Sequence, residues 1–235
     1  MRRTTPDLLD VRPSVALPFP ADEIIAGLED LVLPARRDRL WAVATGRLKS
    51  VVMVLEGVID PHNVAAVLRT GDAMGVGEVH LVDRGVAPRL STRITKGCER
   101  WLDLFVHTDP RECVRVLHVR GFSVYVADPR ADTTLGAVAR CPRVALAFGN
   151  EHQGVSQDLR DAADGSFAIP MRGMVESLNV SVAAAITLHA ATAHRPGELE
   201  PDEVRAQYAR CLYESVRDPE AVLARRRADR GRGGP

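Results

Sequence analysis

Long apolar runs are missing from this 235-residue sequence: its longest purely hydrophobic stretches, such as 51–55, are far shorter than the roughly 18 residues a membrane span needs. The first residues contain no apolar segment of the kind that opens a secretory leader, so a cytoplasmic protein with no membrane partner is expected. Aromatic residues make up only 4%, too few to suggest a stacking platform for RNA bases. Four cysteines, Cys98, Cys113, Cys141 and Cys211, form no C-x-x-C pair and have no nearby histidine at ligand spacing. That spacing argues against a zinc site, a redox motif or a disulfide framework, and leads to the expectation of idle thiols and no metal. Net charge is also absent, because 31 Lys and Arg balance 31 Asp and Glu. Any nucleic-acid binding must therefore come from local clusters of charge. A dinucleotide fingerprint is lacking too. Gly75-Val76-Gly77 is only a fragment of one and reads as the turn that ends a helix.

What is present is globular: 46% hydrophobic and 26% charged residues. Residues 1–20 carry four prolines and read as an irregular arm. Apolar residues at helical spacing predict a short helix over 21–33 and a second over 35–45, where Arg36, Arg37 and Arg39 begin a basic cluster spanning 35–50. From residue 51 onward, β-branched runs alternate with helical patterns. Strands are expected at 51–55, 78–82, 102–106, 123–127, 144–148 and 166–169, and helices at 64–74, 110–120, 156–163 and 180–193. Such alternation implies an α/β domain over 51–194, with a parallel sheet and helices on both faces. The N-terminal region 1–50 and a C-terminal region 195–235 flank it. The latter consists of a helix at 201–216 and a basic, Gly- and Arg-rich tail expected to be disordered.

Ligands of parallel α/β sheets bind beyond the carboxyl ends of the strands, and three polar stretches fall there. In the first, Asp60-Pro61-His62-Asn63 precedes a helix carrying Arg69 and Thr70. Asn63 can serve as the N-cap of that helix. Arg69, flanked by Ala65, Ala66, Val67 and Leu68, is on a helix suited to burial and requires an anionic partner. The second stretch, Gly149-Asn150-Glu151 through Gly154 to Ser156, combines glycines that permit close backbone approach with a carboxylate just past a strand. It also reads as a plain turn capped by Ser156. The third runs from Ile169-Pro170-Met171 to Ser177-Leu178-Asn179-Val180-Ser181, an apolar loop closing on a helix start.

In that order, the three stretches resemble the motifs of the SPOUT class of RNA methyltransferases, and within it the TrmH-like ribose 2′-O-methyltransferases. The resemblance covers roughly residues 35–194. Arg69-Thr70-Gly71-Asp72-Ala73-Met74, Met174-Val175-Glu176-Ser177-Leu178-Asn179 and Arg100-Trp101 are most similar to the branch acting on tRNA guanosine 18. The resemblance implies a fold with a C-terminal trefoil knot. It further implies S-adenosylmethionine as cofactor, bound by Ala127, Gly149, Ile169, Met171 and Leu178. Catalytic positions are implied at Arg69, Asn63, Glu151, Ser177 and Asn179. Many relatives carry Thr where Ala127 stands, so only a backbone contact transfers there. The implied partners are RNA and a second copy of the chain in a homodimer whose active site both subunits complete. Transfer RNA is the expected substrate, with ribosomal RNA the alternative. Arg36, Arg37 and Arg39, together with Arg93 and Lys96 in the basic stretch 84–100, are expected to contact RNA phosphates.

Overall fold

A computed structural model of the chain describes residues 17–58, 60–83, 97–150 and 153–232. In chain order, the helices and strands of the first half are α1 (Ala21–Leu28), α2 (Pro34–Thr45), β1 (Val51–Glu56), α3 (Pro61–Ala73), β2 (Glu78–Val82), β3 (Asp103–His107) and α4 (Pro110–Val119). Then come β4 (Ser123–Ala127), α5 (Leu135–Val138), β5 (Val144–Phe148), α6 (Gln157–Ala162), β6 (Gly165–Phe167), α7 (Val180–Thr192), α8 (Pro201–Ser215) and α9 (Pro219–Arg232). No helix among the described residues is long and apolar enough to cross a membrane.

The described residues fall into two compact units. Residues 48–195 form the first, built on a six-stranded parallel sheet in the order β3-β2-β1-β5-β4-β6. Every residue of the central strands β1 and β5 is buried. Such strands read as unbroken apolar runs because helices cover both of their faces. On one face Met53, Leu55, Leu146 and Phe148 cluster with Val64, Val67 and Leu68 of α3 and with Ala184 and Leu188 of α7. On the other, Val52, Val54, Ala145 and Ala147 cluster with Cys113 and Leu117 of α4 and with Leu159 of α6. Four of the strands pair so that β1, β5, β4 and β6 end on the same side, where the loops after them gather.

Several boundaries differ from expectation. Helix α3 starts three residues early, because the Asp60 side chain accepts from the His62 N–H at 2.9 Å and Pro61 occupies the first turn. Asp60 is thus the cap, and the Asn63 side chain is released for other work. Strand β3 covers 103–107 and not 102–106, while β6 stops at Phe167. The neighbouring Ala168 makes an isolated bridge to Thr134 just ahead of the short helix α5, which local periodicity did not reveal. Gly75, at φ 80°, does form the turn after α3.

The second unit contains 17–47 and 196–232, with α1, α2, α8 and α9. Its largest departure from expectation is α9: residues 219–232 are helical, not disordered. The composition is Arg-rich, yet Leu223 is buried, and Arg226 donates to Asp30 at 2.9 Å while Arg227 lies 3.5 Å from Glu23. Anchored by one apolar contact and two ion pairs, a segment of helix-favouring Ala and Arg has enough tertiary support to order. The basic stretch 35–50 is also less exposed than expected. Arg36 and Arg39 are exposed and Arg37 half-buried, but Arg47 is only 3% exposed.

Candidate active site

Strands β4, β5 and β6 deliver their carboxyl ends to one cleft of about 700 Å³, within the range of small-molecule sites. Its lining includes Ala127 at the end of β4, Phe148 and Gly149 at the end of β5, and Ile169, Met171, Ser177 and Leu178 from the loop before α7. All five residues expected to hold a cofactor therefore meet in a single cavity, although they come from two strand ends and a loop.

The loop after β5 owes its shape to glycine. The Asn150 N–H donates to the Gly154 carbonyl at 3.0 Å and the Gly154 N–H returns to the Asn150 carbonyl at 2.8 Å, closing a tight ring with Gly154 at φ 66°. A Cβ on Gly149 would lie 2.1 Å from the Gly154 carbonyl carbon, so only glycine fits where the loop folds back on the strand end. Two bonds tie this loop to β1 and the residue after it: Asn150 Nδ2 donates to the Gly57 carbonyl at 3.1 Å, and the Ser156 N–H donates to Glu56 Oε2 at 2.6 Å. Ser156 also caps α6, its Oγ accepting from the Leu159 N–H at 3.1 Å. The plain-turn reading of this stretch and its place as a cleft wall are therefore both realised. Glu151 lies outside the described residues, as do Arg93 and Lys96.

Beside the cleft, Asn179 joins two of the motifs. Its Oδ1 accepts from the N–H of Ser181 at 2.9 Å, capping α7, while its Nδ2 donates to Asn63 Oδ1 at 3.1 Å. Asn63 can make this bond because Asp60 has relieved it of capping. Arg69 is placed differently from expectation. It is exposed on α3, outside the cleft lining, and no hydrogen bond or ion pair ties it to another described residue. Apolar neighbours along the chain did not make it a buried arginine, because α3 covers the sheet with Val64, Val67 and Leu68 and turns Arg69 outward.

Sequence reasoning missed Asp128 and Arg160, which also line the cleft and pair with each other. Burial opposes ionisation of Asp128, but the Arg130 N–H and the Arg160 guanidinium outweigh it and hold the carboxyl below the usual range. Asp128 was findable, since it directly follows the last residue of β4. Arg160 was not, because it sits in α6, 32 residues away. The cleft thus offers an apolar floor with one ionic wall. Among the described residues, no cluster of three metal-ligating side chains lies at it.

Comparison with known proteins matches residues 50–189 to the SpoU rRNA Methylase family. Over 162 residues the chain is 42% identical to a protein of Thermus thermophilus named tRNA (guanosine(18)-2′-O)-methyltransferase, covering 68% of this chain and 84% of that one. A solved TrmH/SpoU tRNA modifying enzyme from A. aeolicus superimposes with a TM-score of 0.69 at 30% identity, over 78% of this chain and 98% of its own. An AdoMet-bound rRNA methyltransferase from Sinorhizobium meliloti aligns with a TM-score of 0.54 at 25% identity, over 66% of this chain and 60% of its own. With its six-stranded parallel sheet, its three motifs gathered at the strand ends and a family match across more than half its length, this chain belongs to the SpoU rRNA Methylase family.

Proposed function

We propose that the protein transfers a methyl group from S-adenosylmethionine to a ribose 2′-hydroxyl of tRNA, at guanosine 18 of the D-loop. The observation that carries the reading is the meeting of Ala127, Gly149, Ile169, Met171 and Leu178 in one cleft with the Asn63–Asn179 pair beside it. Similarity to the Thermus thermophilus protein supports the choice of tRNA. The residues of the cleft fit the cofactor. Ile169, Leu178 and Phe148 suit a purine, and the Asp128–Arg160 wall suits a zwitterionic amino-acid end. When bound, the cofactor supplies an electrophilic methyl on a sulfonium.

The chain's own work is to place a hydroxyl against that methyl and to handle its proton. Asn179, fixed by its cap bonds, holds Asn63 in place, and with Ser177 and Glu151 they orient the ribose. Arg69, exposed on α3, binds the phosphate beside the target ribose and stabilises developing negative charge on the attacking oxygen. Arg36, Arg37, Arg39, Arg93 and Lys96 attract RNA phosphates. Arg69 is outside the cleft lining of its own chain, and α7 exposes Val182 and Ile186 at 46% and 41%. Both facts favour a homodimer in which a second copy completes the site, with the family's knot at the contact. We place this dimer in the cytoplasm, where tRNA is modified.

The test is incubation with labelled S-adenosylmethionine and either total tRNA or ribosomal RNA, followed by mapping of the modified nucleotide. Methylation at guanosine 18 is expected. A label on ribosomal RNA alone would favour the second reading, which the family description and the Sinorhizobium meliloti relative support. A methylated base, or no label on either RNA, would overturn both. Mixing Arg69→Ala with Asn179→Ala subunits restores activity if sites are shared.

A further inference from the structure

At the other end of the sheet from the cleft lies a buried polar cluster that methyl transfer does not use. Parallel pairing sets His80 of β2 beside Phe105 and Val82 beside His107 of β3, so Glu78, His80 and His107 share the face covered by α4. His80 is fully buried, its ring parallel to that of Phe105 at 5.0 Å and edge-to-edge with that of His107. Its Nδ1 lies 2.8 Å from His107 Nε2, and its Nε2 lies 2.6 Å from Glu78 Oε1. The thiol of Cys113, buried in the first turn of α4, completes a group whose ligand atoms all lie within 4.8 Å of one another.

We propose that His80, His107 and Cys113 bind a zinc-class divalent cation that pins β2, β3 and α4 together. Two imidazole nitrogens and a thiolate are the donor set that such ions prefer, with water in the fourth position. His80 has the carboxylate partner expected of a ligating histidine: Glu78 holds the nitrogen that faces away from the ion, and Arg120 in turn grips Glu78, its Nη2 2.7 Å from Oε2. Placed 2.6 Å from Glu78 Oε1, His80 Nε2 is the nitrogen that donates to the carboxylate, which leaves the Nδ1 lone pair directed at the cluster.

The ligands must rearrange to close on an ion. On a tetrahedral zinc two nitrogens stand about 3.3 Å apart and a nitrogen and a sulfur about 3.6 Å, so the His80–His107 contact must open by about 0.5 Å and the Cys113 thiol must close from as far as 4.8 Å. His107, half-buried at the end of its strand, can swing, and its Nε2 proton must pass to Nδ1 so that both nitrogens at the ion offer lone pairs. Burial, with Glu56 and Glu112 nearby, pushes the Cys113 thiol up to about 12, so metal binding must expel its proton. The Glu112 carboxylate is itself engaged, since Arg115 holds it at 2.6 Å. The spacing of these ligands hid them: 27 residues separate the histidines, and only the register of the sheet brings them together.

Cobalt(II) serves as the probe. The full-length protein, stripped with a chelator, is titrated with Co²⁺ and then with Zn²⁺. One Co²⁺ per chain is expected, with a thiolate-to-cobalt charge-transfer band that Zn²⁺ abolishes by competition. Cys113→Ser should remove that band, and His107→Gln, a change at a half-buried site, should weaken binding by about tenfold or more. Absence of the band in folded protein at saturating Co²⁺ overturns the proposal and leaves the cluster a hydrogen-bonded chain from Arg120 to His107. Persistence of the band in folded Cys113→Ser overturns it too, since another thiol would then be the ligand. If Cys113→Ser fails to fold, His107→Gln decides.

Discussion

The floor of the cleft and the rim beside it are built in different ways. Ala127 and Gly149 contribute to the floor at strand ends that the sheet anchors, and Ile169, Met171 and Leu178 complete it from the loop before α7. The rim depends on single side-chain bonds, such as Asn179 to Asn63 and the Ser156 N–H to Glu56, and on Arg69, which no described residue restrains. On the proposed function, floor and rim would divide the labour: the floor would set cofactor affinity, and the rim the rate of transfer. Substitutions on either side should therefore affect different constants.

The largest effect is expected on the rim. Arg69→Ala should lower kcat by about 10²–10³, the cost of removing one group that stabilises developing oxyanion charge. Calorimetry should find S-adenosylmethionine binding unchanged, because Arg69 does not line the cleft. A parallel fall in cofactor affinity would erase the distinction between floor and rim.

Next in size is a change to the floor. Leu178→Asp places a carboxylate against an apolar wall already facing the ionised Asp128, and desolvation costs up to several kcal/mol. Since Leu178 is in a loop that can turn partly toward water, a fall of about tenfold to a hundredfold in cofactor affinity is expected by calorimetry, about 1.4 kcal/mol for each factor of ten. At saturating cofactor, kcat should recover. If it does not, the loop before α7 shapes the rim as well.

How much of this was legible from the sequence follows the same division. Unbroken apolar runs at β1 and β5 announced a sheet covered on both faces, and the polar stretches just past strand ends marked where the cleft lies. Features that depend on distant partners were hidden. Asn63 looked like a cap until Asp60 took that place, and Arg69 looked buried because its neighbours along the chain are apolar, although exposure on a helix is set by angle and not by adjacency. Helix α9 needed Asp30, Glu23 and the burial of Leu223, all invisible to a local pattern of arginines. The pairing of His80 with His107 rests on strand register, which no window of sequence contains.

The smallest expected effect is at α2, none of whose residues lines the cleft. Arg36 and Arg39 are exposed and Arg37 half-buried, so they can meet RNA phosphates through charge alone, without reading a base. If the substrate is the tRNA of the proposed function, its target ribose must be loosened from tertiary contacts, and phosphate contacts would supply binding energy that offsets that cost. Reversing the charge of all three, Arg36→Glu with Arg37→Glu and Arg39→Glu, should raise KM for tRNA several-fold and lower the salt slope of binding by about one for each phosphate that is no longer neutralised. Cofactor affinity and kcat at saturating tRNA should stay as they were, since none of these residues lines the cleft. Steady-state kinetics across a series of salt concentrations separates the outcomes. A changed kcat with an unchanged salt slope would mean that α2 affects the transfer step and not the attraction of RNA. An unchanged KM and slope would remove α2 from the RNA-binding surface.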